Sequence, residues 1–384
     1  PHTGFQRLDA GATTLIIDAL DEVAANLEGA AVDRVVQKLD AVGNPPFILS
    51  CRVADWQAAT SAQTIKEMYG TEPLLVHLLP LDRGDQIAIL ADVVGATRAE
   101  ELLAHFEAFD LDLLGNPQTL QMIASLSTAE PLPTTKGDLF EKAIEQLWCE
   151  HREGRGATEP SREAALDAAG AAFASLILTG SSAIVRHGAA HLGEGELAFA
   201  EVDRLAGGSL AQILGSRLFE GGEDSFTYWH RRIGEFLGAR WLAKRVDTPA
   251  KRRRLLHLFQ SHGLVPASLR GLHAWLARDP KLAPEVIAAD PMGIIEYGDA
   301  DALTPEQARQ LFDALRRHAS ENPGFWRWEG FRARALVSPV LDDEIEAVLR
   351  DRRIPFDLRG LIAEQFVDAT PTARHRDTLR ERLL

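Results

Sequence analysis

Three carboxylates follow an aliphatic run near the start of the chain, in Leu15-Ile16-Ile17-Asp18-Ala19-Leu20-Asp21-Glu22. An acid held at the end of a buried strand suits a magnesium–nucleotide site. The metal is hard, takes oxygen ligands and keeps waters that a fixed carboxylate can order. Asp18 is placed for that role, acting on the metal through water. A second acid one turn on, Asp21 or Glu22, stands where it could orient or deprotonate an attacking water. Arg52 follows a second aliphatic run, Phe47-Ile48-Leu49-Ser50-Cys51, where a cation could stabilise charge on a terminal phosphate. These groups converge only if the strands that carry them are neighbours. Each also has a purely local reading: acids cap a helix and offset its dipole, and an arginine after a strand is a surface cation.

The elements that would position these residues alternate. Thr13 to Asp18 reads as a buried parallel strand. Ala31, Val32, Val35, Val36, Leu39 and Val42 recur at helical spacing, and Gly43-Asn44-Pro45-Pro46 stops that helix. The run at 47–51 is the next strand, and Leu74-Leu75-Val76-His77-Leu78-Leu79 reads as a third. Alternation of this kind predicts a parallel sheet with crossover helices, ending near residue 80. Beyond it the chain reads as short helices, with no further buried strand until about Leu218. There Ser216 to Tyr228 places two short apolar runs around Gly221-Gly222, a hairpin signal. A helix with Trp229, Ile233, Phe236, Leu237, Arg240 and Trp241 on one stripe follows, and helices beside one hairpin suggest a winged-helix module. After Thr248-Pro249 come helical pairs divided by prolines, at a spacing like that of helical repeats.

With 384 residues the chain is long enough for two to four domains. The two cysteines, Cys51 and Cys149, have no paired spacing and read as buried thiols of a reducing compartment. No apolar run is long enough to span a bilayer and no secretory signal opens the chain, so a soluble, cytoplasmic protein is expected, with no membrane partner. A net charge of −15 argues against general nucleic-acid coating.

Four motifs, in order, resemble the NACHT-type branch of the signal-transduction ATPases with numerous domains. The run into Asp18, closed by Leu20-Asp21-Glu22, looks like that family's extended Walker B motif, and Ser50-Cys51-Arg52 looks like its sensor segment. Leu114-Gly115-Asn116-Pro117-Gln118-Thr119-Leu120 is similar to the lid motif whose proline packs on the adenine side of the nucleotide. Phe226-Thr227-Tyr228-Trp229-His230, then Glu235-Phe236-Leu237-Gly238-Ala239, resembles the winged-helix segment whose histidine reaches the β-phosphate of ADP. The resemblance covers roughly residues 5 to 245. It implies ATP or ADP with Mg2+ as cofactors, Pro117 and His230 as nucleotide contacts, and, in a bacterium, defence signalling. The phosphate-wrapping Gly-x-x-x-x-Gly-Lys-Ser/Thr is absent; in the family it lies upstream of the Walker B strand, hence before Pro1, and the chain reads as a fragment. Gln118 and Thr119 stand where aliphatics are usual, and Gly238 where alanine is.

The fold class expected is therefore α/β followed by all-α: a truncated parallel-sheet P-loop core at 1–80, a helical lid at 81–150, a winged-helix and helical unit at 151–246, and HEAT-like repeats at 247–384. Local alternatives accompany the sites. Pro117 is also a good first-turn proline with Asn116 as cap, and His230 could simply cap the helix it precedes. His187 and His191 lie four apart near Glu194 and Glu196, but Gly188, Gly193 and Gly195 make a poor helix and no third strong ligand is placed. The basic run Arg231, Arg232, Arg240, Lys244, Arg245 and Lys251 to Arg254 reads as a solvated face, or as pairing with acids such as Asp342-Asp343-Glu344. Trp326 and Trp328, with Phe325 and Phe331, read as repeat core. The function expected is a nucleotide-dependent switch that oligomerises when its repeats meet a protein partner or ligand. The rivals are a non-catalytic helical scaffold and nucleic-acid binding through the basic run.

Overall fold

The computed structural model describes residues 14–17, 31–50, 58–76, 79, 81–107, 114–115, 117–126, 131–152, 161–186, 192–193, 195–221, 224–260, 264–321, 334–337, 339–366 and 372–383. Strands β1 (Leu15–Ile17) and β2 (Phe47–Leu49) pair in parallel with Ile16 beside Ile48, and helix α1 (Ala31–Ala41) lies between them in sequence. Gly43 and Asn44 take positive φ, 92° and 54°, and turn the chain out of α1 where the Gly-Asn-Pro-Pro sequence predicts a stop. Helix α2 (Ala58–Tyr69) packs on α1, burying Val36 and Ile65 beside Phe47, Leu49 and Met68. Tyr69 closes this small core by donating its hydroxyl to the Pro45 carbonyl at 2.8 Å.

The described residues of the third strand expected at 74–79, Leu74 to Val76 and Leu79, form no strand. Leu74, Leu75 and Val76 lie in irregular, exposed chain, and the first sheet has two described strands. A β-prone run becomes a strand only when a ladder takes up its backbone groups, and among the described residues none does so here.

Helices α3 (Arg83–Val94), α4 (Ala96–Glu107), α5 (Pro117–Ser125) and α6 (Lys136–Arg152) follow. Asp82 caps α3, its carboxylate accepting from the Asp85 N–H at 2.9 Å. Helix α7 (Arg162–Thr179) runs from the Ser161 cap to Gly180, which ends it at φ 65°. Next come β3 (Ala183–Val185), β4 (Glu196–Ala198), α8 (Phe199–Leu205), α9 (Leu210–Ile213), β5 (Phe219–Gly221), β6 (Ser225–Tyr228) and α10 (Arg231–Arg245). The hairpin expected around the Gly-Gly turn is β5–β6, but it belongs to a four-stranded sheet of order β4-β3-β6-β5. Strand β3 runs parallel to β4 and antiparallel to β6. The expectation of no strand before Leu218 therefore fails. Three-residue strands carry too few positions to show alternation.

The remainder is helical: α11 (Pro249–Leu258), α12 (Arg270–Trp275), α13 (Ala283–Ala289), α14 (Pro291–Glu296), α15 (Pro305–Glu321), α16 (Asp342–Arg350), α17 (Phe356–Glu364) and α18 (Ala373–Leu383). Pro249, Pro291 and Pro305 open their helices, where a missing N–H costs nothing. One continuous apolar cluster runs from Leu90 to Phe366; the boundary expected at 150 falls inside α6, and that at 246 falls between α10 and α11. Three rings from three helices meet in it: Phe140 of α6 lies 5.9 Å from Phe236 of α10 and 5.3 Å from Trp275 of α12, and the latter two are 5.0 Å apart.

Helices α7 and α10 approach each other closely. A Cβ at Gly170 would stand 2.7 Å from the Leu237 carbonyl oxygen and 2.7 Å from the Trp241 Cβ, so backbone lies where a side chain would be. Gly170→Ala would gain about 1 kcal/mol of helix propensity. Forcing backbone apart costs about 1–3 kcal/mol, and that term should win. A lowered melting temperature is expected; an unchanged or raised one would mean that the two helices have room to separate.

Candidate functional site

The expected chemistry begins at two strand ends. Because β1 and β2 are parallel and in register from Leu15–Phe47 to Ile17–Leu49, both chains leave the sheet at the same end. The Ser50 N–H donates to the Ile17 carbonyl at 2.9 Å, carrying the pairing to the last described residue on each side. Asp18 is next in the chain after Ile17, and Arg52 lies three positions after Leu49. The neighbouring-strand condition for these two groups is thus met. Asp18, Asp21, Glu22, Cys51 and Arg52 themselves lie outside the described residues. One face of the pair packs on the small core through Phe47 and Leu49, while Ile16 and Ile48 on the other are 77% and 61% exposed. Parallel sheets are ordinarily covered on both faces, and no described residue covers this one.

Pro117 is the first residue of α5 and is exposed, so the structural role of a first-turn proline is realised. Leu114 and Leu120, which flank it, are buried and join the main core.

His230 links β6 to α10. Its Nδ1 accepts from the Arg232 N–H at 3.2 Å, making it the N-cap of α10, as the local reading held. Since Nδ1 accepts, the neutral ring carries its proton on Nε2. That donor has no hydrogen-bond partner among the described residues, and the side chain is only 4% exposed. Burial, then the nearby Arg232 charge, pushes the imidazole pKa down to about 4. His230 therefore offers a neutral, preformed N–H donor under cover. A phosphate oxygen could accept from it once that cover moves.

Next to His230 is a cluster that sequence reasoning missed. Arg231 pairs with Glu235 at 3.0 Å and also donates to the Ser268 carbonyl, in a single 3-10 turn (Ala267–Leu269) before α12. Glu235 is 5% exposed. Arg270 grips Asp290 with two donors, at 2.7 and 3.1 Å, and Glu296 at 2.9 Å, and its guanidinium lies 5.2 Å from the Tyr297 ring centre. Asp290 at the same time caps α14 by accepting from the Gly293 N–H at 2.9 Å. Burial first, then Glu296, pushes the Tyr297 hydroxyl up to about 12. The i,i+4 pair Arg231–Glu235 and the Asp-Pro start of α14 were visible in the sequence; the Arg270 pairs, 20 and 26 positions apart, were not.

A second joint ties α6 to the same region. Asp299, 7% exposed, accepts from the Gly137 N–H at 2.9 Å in the first turn of α6, and Lys136 donates to the Ile295 carbonyl at 3.4 Å. Arg278 pairs with Glu141 at 3.3 Å and lies over the Phe236 ring. Burial raises the Asp299 pKa, against the pull of the Gly137 amide, Arg278 and Lys136.

The basic run is largely occupied within the chain. Lys244 pairs with Glu163 at 3.1 Å and Asp167 at 3.0 Å, Arg245 pairs with Asp167 at 3.0 Å and lies over Trp241, and Lys251 pairs with Asp247 at 2.8 Å. The expected pairing with Asp342, Asp343 and Glu344 is corrected. Those acids face His375, Arg374 and Arg309, because α16 packs against α18 and lies near α15 rather than near α10. Arg253 and Arg254 remain exposed on α11. His187, His191 and Glu194 lie outside the described residues, as do Trp326, Trp328, Phe325 and Phe331, while the Glu196 carboxylate accepts from the Gly193 N–H at 2.7 Å. Among the described residues no three His, Cys, Asp or Glu side chains are grouped to hold a metal, and no helix is long and apolar enough to cross a membrane.

Comparison with protein-family models and with curated proteins finds no match to this chain.

Two buried imidazoles set the acid sensitivity of this region. Burial holds the pKa of both His230 and His273 at about 4, whereas an unfolded histidine titrates near 6.5. Between those values the unfolded chain binds more protons, so stability is complete above about pH 6.5 and falls as pH drops toward 4. The expected slope is about 1.4 kcal/mol per pH unit for each histidine within that window. Urea unfolding at pH 7, 6 and 5 should show this loss, and His273→Phe should roughly halve it. Equal slopes in the two proteins would remove His273 from the account.

Proposed function

We propose that the chain belongs to a NACHT-type signalling ATPase, a conformational switch set by ATP or ADP. In this reading residues 1–80 are the end of the P-loop core that bears Asp18, Asp21, Glu22 and Arg52. Residues 81–150 are the helical lid that presents Pro117. Residues 151–246 are the winged-helix unit that presents His230, and 247–384 are HEAT-like repeats that meet a protein partner or ligand. The observation that carries the reading is the parallel β1–β2 pair, which brings together the strand ends followed by Asp18 and by Arg52. The spare Nε2 donor of His230 supports it.

The bound nucleotide, with Mg2+, supplies phosphate charge. Asp18 would hold metal waters, Asp21 or Glu22 would orient the attacking water, Arg52 would answer charge on the terminal phosphate, and His230 would donate to the nucleotide. A partner that prefers the open arrangement shifts the population toward it and permits nucleotide exchange and self-association. The scaffold alternative keeps the same packing without nucleotide. Pairing of Lys244, Arg245 and Lys251 within the chain weighs against the nucleic-acid alternative.

The test is equilibrium binding of ADP and ATP, with magnesium, to a polypeptide that includes a phosphate loop upstream of Pro1. Asp18→Ala should weaken the magnesium-dependent part of binding. His230→Asn keeps an N-cap acceptor and removes the imidazole, so it should weaken ADP binding about tenfold, the worth of one hydrogen bond to a charged group. No binding, or equal binding by all three proteins, supports the scaffold instead.

A further inference from the structure

Between Asp247 and Asp279 the chain carries no acid, although residues 248–278 hold six lysines and arginines and the whole chain has a net charge of −15. Three of the six are answered: Lys251 pairs with Asp247, Arg270 with Asp290 and Arg278 with Glu141. The other three are consecutive, Arg252, Arg253 and Arg254 of α11, and among the described residues their side chains make no ion pair or hydrogen bond. The helix is anchored on its inner side by Leu255, and just beyond it by Phe259, whose ring centre lies 5.2 Å from that of His273. Its outer side exposes Ala250, Lys251, Arg253, Arg254, His257 and Leu258, and the spacing of 251, 254 and 258 sets Lys251, Arg254 and Leu258 in one row. Leu258 is 58% exposed. The arginines also suit the helix itself poorly. No acid stands in the first turn of α11, and cations near a helix start oppose its dipole while neighbouring guanidinium groups repel one another.

We propose that the outer face of α11 docks a short acidic segment of a partner protein, one whose carboxylates flank an apolar side chain. Each arginine presents a planar fork that fits the two oxygens of a carboxylate, and a carboxylate placed there also meets the positive end of the helix dipole. Leu258 calls for an apolar group beside the acids, which a phosphodiester backbone does not carry. Size argues against a bilayer or a duplex. The helix is about 15 Å long, and charges more than about 8 Å apart are largely screened at physiological salt, so a ligand no longer than α11 meets mainly its cations. An extended anionic surface would also face the acids of the remaining chain. The inference deepens the reading that 247–384 meet a protein partner, and rests on that reading for the partner's class.

The test is fluorescence anisotropy of a short labelled synthetic peptide of glutamates and leucines, titrated with the whole chain without nucleotide. The native chain should bind it, and more weakly as salt rises. Arg253→Glu with Arg254→Glu should weaken binding about tenfold; these reversals put acids near the start of α11, where the helix dipole favours them, so folding is kept. Leu258→Ser should weaken it about threefold, as should replacing the leucines of the peptide with serine. Lys38→Glu with Arg380→Glu changes the net charge equally at exposed positions on α1 and α18, and should leave binding as it is. No binding by the native chain, or equal binding by the Arg253 and Arg254 double variant, would overturn the proposal. So would tighter retention of phosphatidylglycerol vesicles or of single-stranded DNA than of the peptide, or self-association of the chain that the same double variant abolishes. Because no nucleotide is added, failure here leaves the nucleotide reading standing, and failure of nucleotide binding leaves the docking face standing.

Discussion

Helix α10 lies so near α7 that Gly170 meets the Leu237 carbonyl where its own side chain would be, and much else in the main body follows from that contact. A helix pressed this closely on one side, with β6 at its start and α12 across from it, buries residues 233–239 in succession. Glu235 falls within that stretch. A buried carboxylate must be answered or it unfolds the protein, so Arg231 is drawn alongside and position 271 must lack a side chain. The same helix carries Phe236 into contact with Phe140 and Trp275, joining α6 and α12 through one aromatic cluster.

Local chemistry was readable where it decides the element by itself. The stop of α1 at Gly43-Asn44, the hairpin at 219–228, the apolar stripe of α10 and the proline starts of α11, α14 and α15 all follow from turn residues, periodicity and the missing proline N–H. Strands β3 and β4 were not readable, since three residues give no pattern and the antiparallel partner of β3, β6, lies some forty positions away. Leu74 to Val76 show the converse: β-prone composition without a described neighbour leaves exposed chain. At the candidate site, the order of Asp18 and Arg52 and the cap at His230 came from sequence. The answers to the basic run, Glu163 and Asp167, lie too far along the chain to be seen there.

His230 unites the local and the chemical readings. Capping uses Nδ1, and that use places the proton on Nε2, where it finds no described acceptor. A buried donor left unanswered costs stability on the order of 1–3 kcal/mol. A phosphate oxygen is the acceptor that the switch account assigns to it.

The most direct measurement is the nitrogen-15 resonance of His230 Nε2, in histidine-labelled polypeptide that carries a phosphate loop, as ADP and magnesium are added. The account expects this resonance to shift in proportion to bound nucleotide and to be missing in His230→Asn. Tight ADP binding with the His230 resonance unmoved would contradict it.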